Sequence, residues 1–379
     1  MRMRTRRAFA LVLAGALALS ACGDAPDNDT EAAPDADVTT EETEAPDDTD
    51  TEETEAPDET DEPVDAADYR ACLVTDQGGV DDRSFNQTAY EGLERAQEEL
   101  GVEIAVLESQ SETDFEPNIE AFLGQDCDVI VTVGFLLGDV TEEAALANPD
   151  QNFAIVDYAY EDDYDNLREL LFATDEAAFL AGYVAAGVTE TGAVGTYGGI
   201  NIPTVSIFMD GYLAGVNYYN EENATDVEVI GWDGSDGSFT GNFESQDDGR
   251  NVTDSQLEAG ADIIMPVAGP VGLGTAAALQ DFGSGKMIWV DTDGFESVPQ
   301  FSDLILTSVM KNMDVAVFDT VEAGVNDAFE GGLYLGTLEN EGVDIAPFHD
   351  FEDEVPQEVK DALDGLREGI ISGEIDVSP

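Results

Sequence analysis

From residue 70 onward, short apolar runs alternate with longer stretches in which apolar residues recur every three to four positions. The runs at 71–74, 102–107, 128–133, 152–156, 193–197, 226–230, 261–266 and 286–290 are rich in Val, Ile and Ala, the pattern of strands buried on both faces. Amphipathic stretches at 84–100, 115–124, 139–147, 175–190, 204–221, 249–259, 271–282 and 311–325 keep the helical period and predict crossover helices. A further strand is predicted at 305–310 and a last helix near 356–372. This alternation predicts an α/β chain with parallel sheets. One open sheet with so many repeats would be unusually large, so two lobes, built on the halves 70–173 and 175–290, fit domain sizes better. The expected division is 69–174 plus 292–328 for the first lobe and 175–291 plus 329–379 for the second. Chain crossings are expected near 173–174, 291–293 and 328–332.

In an open α/β sheet, small ligands bind beyond the carboxyl ends of the strands. The segments at those ends are unusually polar and glycine-rich: 76–86, 134–139, 157–158, 198–211, 267–270 and 291–294. The first carries Asp76, Asp81 and Asp82 as acceptors, Asn86 as donor and acceptor, and Phe85 as a flat apolar face. Such a set can read a small polar aromatic molecule. Asp76 and Asp291 each follow an apolar strand and are expected to project into a shared cleft. Phe85 lies in the first turn of an amphipathic helix, where core packing is the ordinary role, but the glycine-rich loop before it and Asn86 beside it favour ligand stacking. Asp81 and Asp82 stand where a helix begins and are expected to cap it. Lys311 follows a strand end in a chain with only three lysines, which argues for a place in the cleft. Trp232 and Trp289 are expected to pack.

Charge changes the picture of the surroundings. The chain holds 85 Asp and Glu against 13 Lys and Arg, a formal charge of −72 over 379 residues. Residues 24–68 contain 21 acids, no base and almost no large apolar side chain, so they cannot bury enough surface to offset the entropy of ordering. They are expected to form an extended acidic tether. The remaining 69–379 still carries 64 acids against 9 bases, about −55, on a chain with ordinary core patterning. An acid-coated folded domain of this kind implies a high-salt habitat and makes nucleic acid a poor partner.

The first residues bear on the compartment. Four arginines within 1–7 precede a short apolar core at 8–19 and the sequence Leu19-Ser20-Ala21-Cys22. This looks like a bacterial lipoprotein signal, with cleavage after residue 21 and acylation, palmitate included, at Cys22. The protein is thus expected at the cell membrane, lipid-anchored on the extracytoplasmic face. Of the other two cysteines, Cys72 lies in the first strand and Cys127 just before the third. Export permits a disulfide if those strands are neighbours; two buried free thiols are the equal alternative. Nothing resembles a metal site, no cofactor is expected, and His349 is the only histidine.

Several of these segments together resemble the basic membrane protein family, the substrate-binding lipoproteins of ABC importers that include the purine nucleoside receptors. The matching runs are Val74-Thr-Asp-Gln-Gly-Gly-Val-Asp-Asp-Arg-Ser-Phe-Asn-Gln87, Val133-Gly-Phe-Leu-Leu-Gly-Asp139, Phe153-Ala-Ile-Val-Asp157, Ala178-Phe-Leu-Ala-Gly182, Gly198-Gly-Ile-Asn-Ile-Pro203 and Gly260-Ala-Asp-Ile-Ile264. They occur in the family's order across most of 70–340. The resemblance implies an α/β two-lobe periplasmic-binding-protein fold of type 1, with three crossings. It implies a nucleoside, purine by preference, as ligand, and an ABC permease and ATPase as partners. It also implies roles: the base stacked on Phe85 and Phe208 and bonded to Asp76, Asn86 and Asp139, and the ribose held by Asp291, Lys311 and the amide of Gly269. The family often shows Arg or Lys near the Phe208 segment and after the Lys311 position. Ser206 and Asn312-Met313 stand there instead, which leaves the base preference open.

Two other classes compete. A ligand-sensing lipoprotein for a sugar or another small molecule would share the same architecture. An enzyme is disfavoured: the run 76–82 superficially resembles the calcium loop of nucleoside hydrolases, but Val74 stands where an Asp is needed and the spacing is one residue too long. A lone histidine offers no nucleophile–base pair.

Overall fold

The computed structural model describes residues 66–378; the expected signal segment, Cys22 and nearly all of the acidic tether lie outside them. In chain order the elements are β1 (Arg70–Thr75), α1 (Phe85–Leu100), β2 (Glu103–Glu108), α2 (Phe115–Leu123), β3 (Val129–Val133), α3 (Gly138–Ala147), β4 (Asn152–Val156), β5 (Leu167–Phe172), α4 (Thr174–Val188), β6 (Ala193–Gly198) and α5 (Pro203–Asn223). They continue as β7 (Glu228–Ile230), α6 (Gln246–Ala259), β8 (Ile263–Val267), α7 (Gly272–Phe282), β9 (Lys286–Asp291), α8 (Gly294–Ser297), β10 (Ile305–Lys311), α9 (Met313–Val325), β11 (Gly332–Gly336), β12 (Val343–Ile345) and α10 (Gln357–Ile371).

The strands form two six-stranded sheets, ordered β11-β5-β4-β3-β1-β2 and β12-β10-β9-β8-β6-β7. Pairing is parallel except for β12 against β10. Central strands such as β1, β3 and β8 are buried along almost their whole length because helices cover both faces, which explains their uninterrupted apolar sequence. The edge strand β2 is only half-buried and accordingly begins and ends on Glu. The helix α4 is buried nearly all round and packs on α5 in the second lobe.

The two-lobe α/β architecture expected from the alternation is therefore present, but its boundaries differ from 69–174 plus 292–328 and 175–291 plus 329–379. Strand β10 pairs with β9, so 292–311 belongs to the second lobe. Strand β11 pairs with β5, so 332–336 belongs to the first. Helix α9 packs on α1 in the first lobe, and α10 on α4 in the second. The chain therefore crosses at 172–174, 311–313 and 336–343; only the first crossing lies where the sequence pointed. The physical reason is that a strand joins whichever edge offers an unpaired ladder, a choice its own apolar pattern does not encode.

Strands β2, β1 and β3 are adjacent, and this brings Cys72 and Cys127 together as a disulfide with Cα atoms 6.0 Å apart. At the start of α1, Asp82 caps as expected: its carboxylate accepts from the backbone N–H of Ser84 at 3.0 Å, Asn86 at 2.8 Å and Gln87 at 3.0 Å. Asp81 stays exposed.

Candidate functional site

A cavity lies between the sheets, where the strands of both lobes end. Asp76 follows β1, Gly134 follows β3, and Asp157 follows β4. From the other lobe come Gly269 after β8, Asp291 at the end of β9 and Lys311 at the end of β10. The same topology that makes these strands parallel thus delivers six chain segments to one spot.

The side chains are packed tightly enough to fix their chemistry. Asn86 donates through Nδ2 to Asp76 Oδ1 at 3.0 Å, to Asp82 Oδ2 at 3.2 Å and to the Gln77 carbonyl at 3.3 Å. Its Oδ1 is buried and, among the described residues, has no hydrogen-bond partner. A buried acceptor left open at a cavity wall is a place for a ligand donor. Gly134 has φ of +118°, and a Cβ there would stand 2.3 Å from Asp76 Oδ2; only glycine lets β3 pass beside that carboxyl. Gly269, with φ of +53°, faces open space, so its backbone is approachable.

Burial sets the protonation states. It pushes Asp76 up to about 8, against the pull of the Asn86 hydrogen bond, which favours the protonated, donating form of this carboxyl near neutral pH. Burial raises Asp291 to about 6, opposed chiefly by the Lys311 ammonium, so it is mostly ionised at neutral pH and accepts. Asp157 is also raised by burial, with Lys311 drawing it partly back. Asp157 and Asp291 both sit in the left-handed region, with φ of 69° and 73°, an uncommon conformation that the strand ends impose.

Several polar contacts join the lobes around this cavity. Lys311 Nζ meets Asp157 Oδ2 at 2.5 Å. Ser84 Oγ donates to Asp291 Oδ2 at 2.6 Å, and Trp289 Nε1 to the Arg83 carbonyl at 3.2 Å. The Lys311 ammonium also stands 4.8 Å from the Phe85 ring centre, 5.3 Å from Phe172 and 5.9 Å from Phe208. The arrangement is a closed, largely desolvated cleft with two aromatic faces, one engaged cation and several buried carboxyls.

A family model described as ABC transporter substrate-binding protein PnrA-like matches residues 70–378. The chain belongs to the Bmp family. Its relatives include the ABC transporter nucleoside-binding protein BmpA of Lactococcus lactis, 31% identical over 329 residues, which are 82% of this chain and 89% of that protein. Basic membrane protein A of Borreliella burgdorferi is 33% identical over 311 residues, 81% of this chain and 86% of the other. Among solved structures, a solute-binding protein of an ABC transporter system from Aeropyrum pernix K1 superposes with a TM-score of 0.75 at 29% identity, covering 82% of this chain and 94% of its own. A second, from Conexibacter woesei, shares the fold with a TM-score of 0.65 at 21% identity, covering 81% of this chain and 98% of its own. This Bmp-family chain is thus an ABC transporter substrate-binding protein with the periplasmic-binding-protein fold.

Of the residues that the sequence suggested for this Bmp-family site, Asp76, Phe85, Asn86, Phe208, Gly269, Asp291 and Lys311 all line the one cavity. Asp139 does not: it lies exposed in the first turn of α3, where a carboxylate suits the helix dipole, and Phe135 occupies the wall instead. Sequence reasoning flagged the segment 157–158 without giving Asp157 a role. The signal was present, because Phe153-Ala-Ile-Val-Asp157 and Met287-Ile-Trp-Val-Asp291 are both apolar strands closing on an aspartate. Phe243, which reaches the cavity from the loop before α6, had no such signal. Trp289 packs as expected and in addition binds the opposite lobe.

Proposed function

We propose that this protein is the extracytoplasmic receptor lipoprotein of an ABC importer, anchored through Cys22, whose cleft closes on a nucleoside, purine by preference, and presents it to the permease. The observation that carries this reading is the pairing of two aromatic faces with adjacent buried groups of opposite hydrogen-bonding sense. Protonated Asp76 donates and Asn86 Oδ1 accepts, so together they match a heterocycle edge bearing one acceptor and one donor. Phe85 and Phe208 supply stacking faces for the base. Asp291 accepts from ribose hydroxyls, while Lys311 and the Gly269 amide donate to them. The name of the Lactococcus relative, a nucleoside-binding protein, points the same way.

The charge balance argues against nucleotides. Lys311 is the one basic residue on the cavity wall and is already engaged by Asp157, so a phosphate would face Asp76, Asp82 and Asp291 without a basic clamp. The chain binds and releases its ligand unchanged, and the transporter's ATPase supplies the energy. Calorimetry in molar salt tests this with inosine, guanosine and adenosine against free bases, nucleotides, sugars and amino acids. Tight binding of a nucleoside, with bases and nucleotides weaker, is the expected outcome. Tight binding of a sugar, amino acid or nucleotide with no nucleoside bound would overturn it.

A further inference from the structure

Two consecutive residues of the first lobe, Arg83 and Ser84, meet the end of β9 in the second. Trp289 Nε1 donates to the Arg83 carbonyl at 3.2 Å. Ser84 Oγ lies 2.6 Å from Asp291 Oδ2 and 3.1 Å from the Val290 carbonyl. The turn that carries them is held from both sides. Arg83 adopts a left-handed φ of 64°, and the Asp82 carboxylate accepts from the Ser84 backbone N–H at 3.0 Å. The Ser84 carbonyl in turn accepts from the Thr88 hydroxyl at 2.7 Å, inside α1. Ser84 is fully buried, yet it does not line the cavity, whereas Asp291 does.

A hydroxyl placed there acts on a ligand only through Asp291. It has a single proton to give, and the carboxylate at 2.6 Å is the stronger of its two acceptors. The bond engages Oδ2 and stops the carboxylate from turning, which leaves Oδ1 for a ligand. It also bears on the charge of Asp291. Burial opposes ionisation most, Lys311 on β10 and the Ser84 hydroxyl favour it, and Asp157 after β4 and Asp82 before α1 oppose it. Because the donor stands in one lobe and the acceptor in the other, the bond requires closed lobes.

We propose that Ser84 is a positioning residue for sugar recognition: on closure it locks the Asp291 carboxylate in the orientation that accepts from ribose hydroxyls, so the first lobe completes the sugar acceptor of the second. The proposal rests on the nucleoside reading of the cleft. Calorimetry on the full chain in molar salt would compare adenosine with 2′,3′-dideoxyadenosine, using the parent, Ser84→Ala, Asp291→Ala and the double variant. Ser84→Ala removes one oxygen and keeps the backbone hydrogen bonds of the turn. Loss of the Val290 contact falls on both ligands alike, so the ratio of the two isolates the path through Asp291. Ser84→Ala should weaken adenosine at least about fivefold more than the dideoxynucleoside. In the Asp291→Ala background it should weaken both ligands equally, within about twofold. Adenosine affinity of the parent should fall as Asp291 takes up a proton near pH 6, and in Ser84→Ala this acid limb should move towards neutral pH, a shift that loosened packing would not produce. Equal loss of both ligands on Ser84→Ala would overturn the proposal and leave Ser84 a plain contact between the lobes, and an unmoved acid limb would overturn it too. A parent protein that binds neither ligand would overturn the nucleoside reading itself, and one that binds both equally would remove the ribose from Asp291.

Discussion

Replacing Asp291 by alanine removes a carboxylate that stands at the junction of the two lobes. In the closed chain its Oδ2 accepts from Ser84 Oγ at 2.6 Å. The same hydroxyl lies 3.1 Å from the Val290 carbonyl, so Ser84 keeps an acceptor after the truncation. The cost therefore falls mainly on the ligand. A hydrogen bond to a charged acceptor contributes about 1.5–3 kcal/mol, and losing it together with part of the Ser84 contact gives about 2–4 kcal/mol, or roughly 30- to 700-fold in Kd. The assay is a double-mutant cycle by calorimetry, pairing Asp291→Ala with a 2′,3′-dideoxynucleoside. Removing the ligand's hydroxyls should cost the parent protein more than the variant, the difference being the Asp291 share and the remainder that of Lys311 and the Gly269 amide. If removing the hydroxyls costs the parent and the variant the same, Asp291 does not hold the ribose and its assignment fails.

Phe85→Ala should weaken nucleoside binding by about 1–3 kcal/mol through lost stacking, measured by the same titration; an unchanged Kd would place the base elsewhere. Asp76 carries its proton in the folded chain up to about pH 8 but releases it near 3.8 when unfolded, so stability of the closed form should fall as pH climbs across that window. Nucleoside affinity should likewise drop between pH 7 and 9, and Asp76→Asn, which cannot ionise, should flatten that profile. With about −55 on 69–379, the melting temperature should rise from dilute buffer to molar KCl; a flat or falling curve would remove the high-salt reading of this surface.

Much of this architecture is legible along the chain because buried parallel strands and amphipathic helices leave different periods. The strands that escaped notice are those whose sequences break the rule. In β5, Arg168 and Glu169 interrupt the apolar run, although Glu169 is buried and accepts from the Tyr160 backbone N–H. Strands β11 and β12 are short and lie at sheet edges, and Leu333 and Leu335 of β11 stand exposed. The lobe to which β10 belongs was not readable, since it depends on pairing with β9 and not on any property of Ile305–Lys311 itself. Of the suggested residues, Asp76, Gly269, Asp291 and Lys311 at strand ends, Phe85 and Asn86 at the start of α1 and Phe208 in α5 line the cavity, whereas Asp139, in the first turn of α3, stands outside it. A carboxylate in a first turn serves the helix dipole equally well facing solvent.

The central claim is that two lobes close on a nucleoside, and small-angle scattering of residues 69–379 in molar salt tests it most directly. The polar contacts between Lys311 and Asp157, Ser84 and Asp291, and Trp289 and Arg83 all span the lobes and must part for a ligand to enter. Saturating inosine or guanosine should therefore lower the radius of gyration relative to the free protein, whereas ribose or inosine 5′-monophosphate at the same concentration should leave it unchanged. Identical profiles with and without a nucleoside whose binding is established by calorimetry would contradict the account, as would compaction by ribose alone.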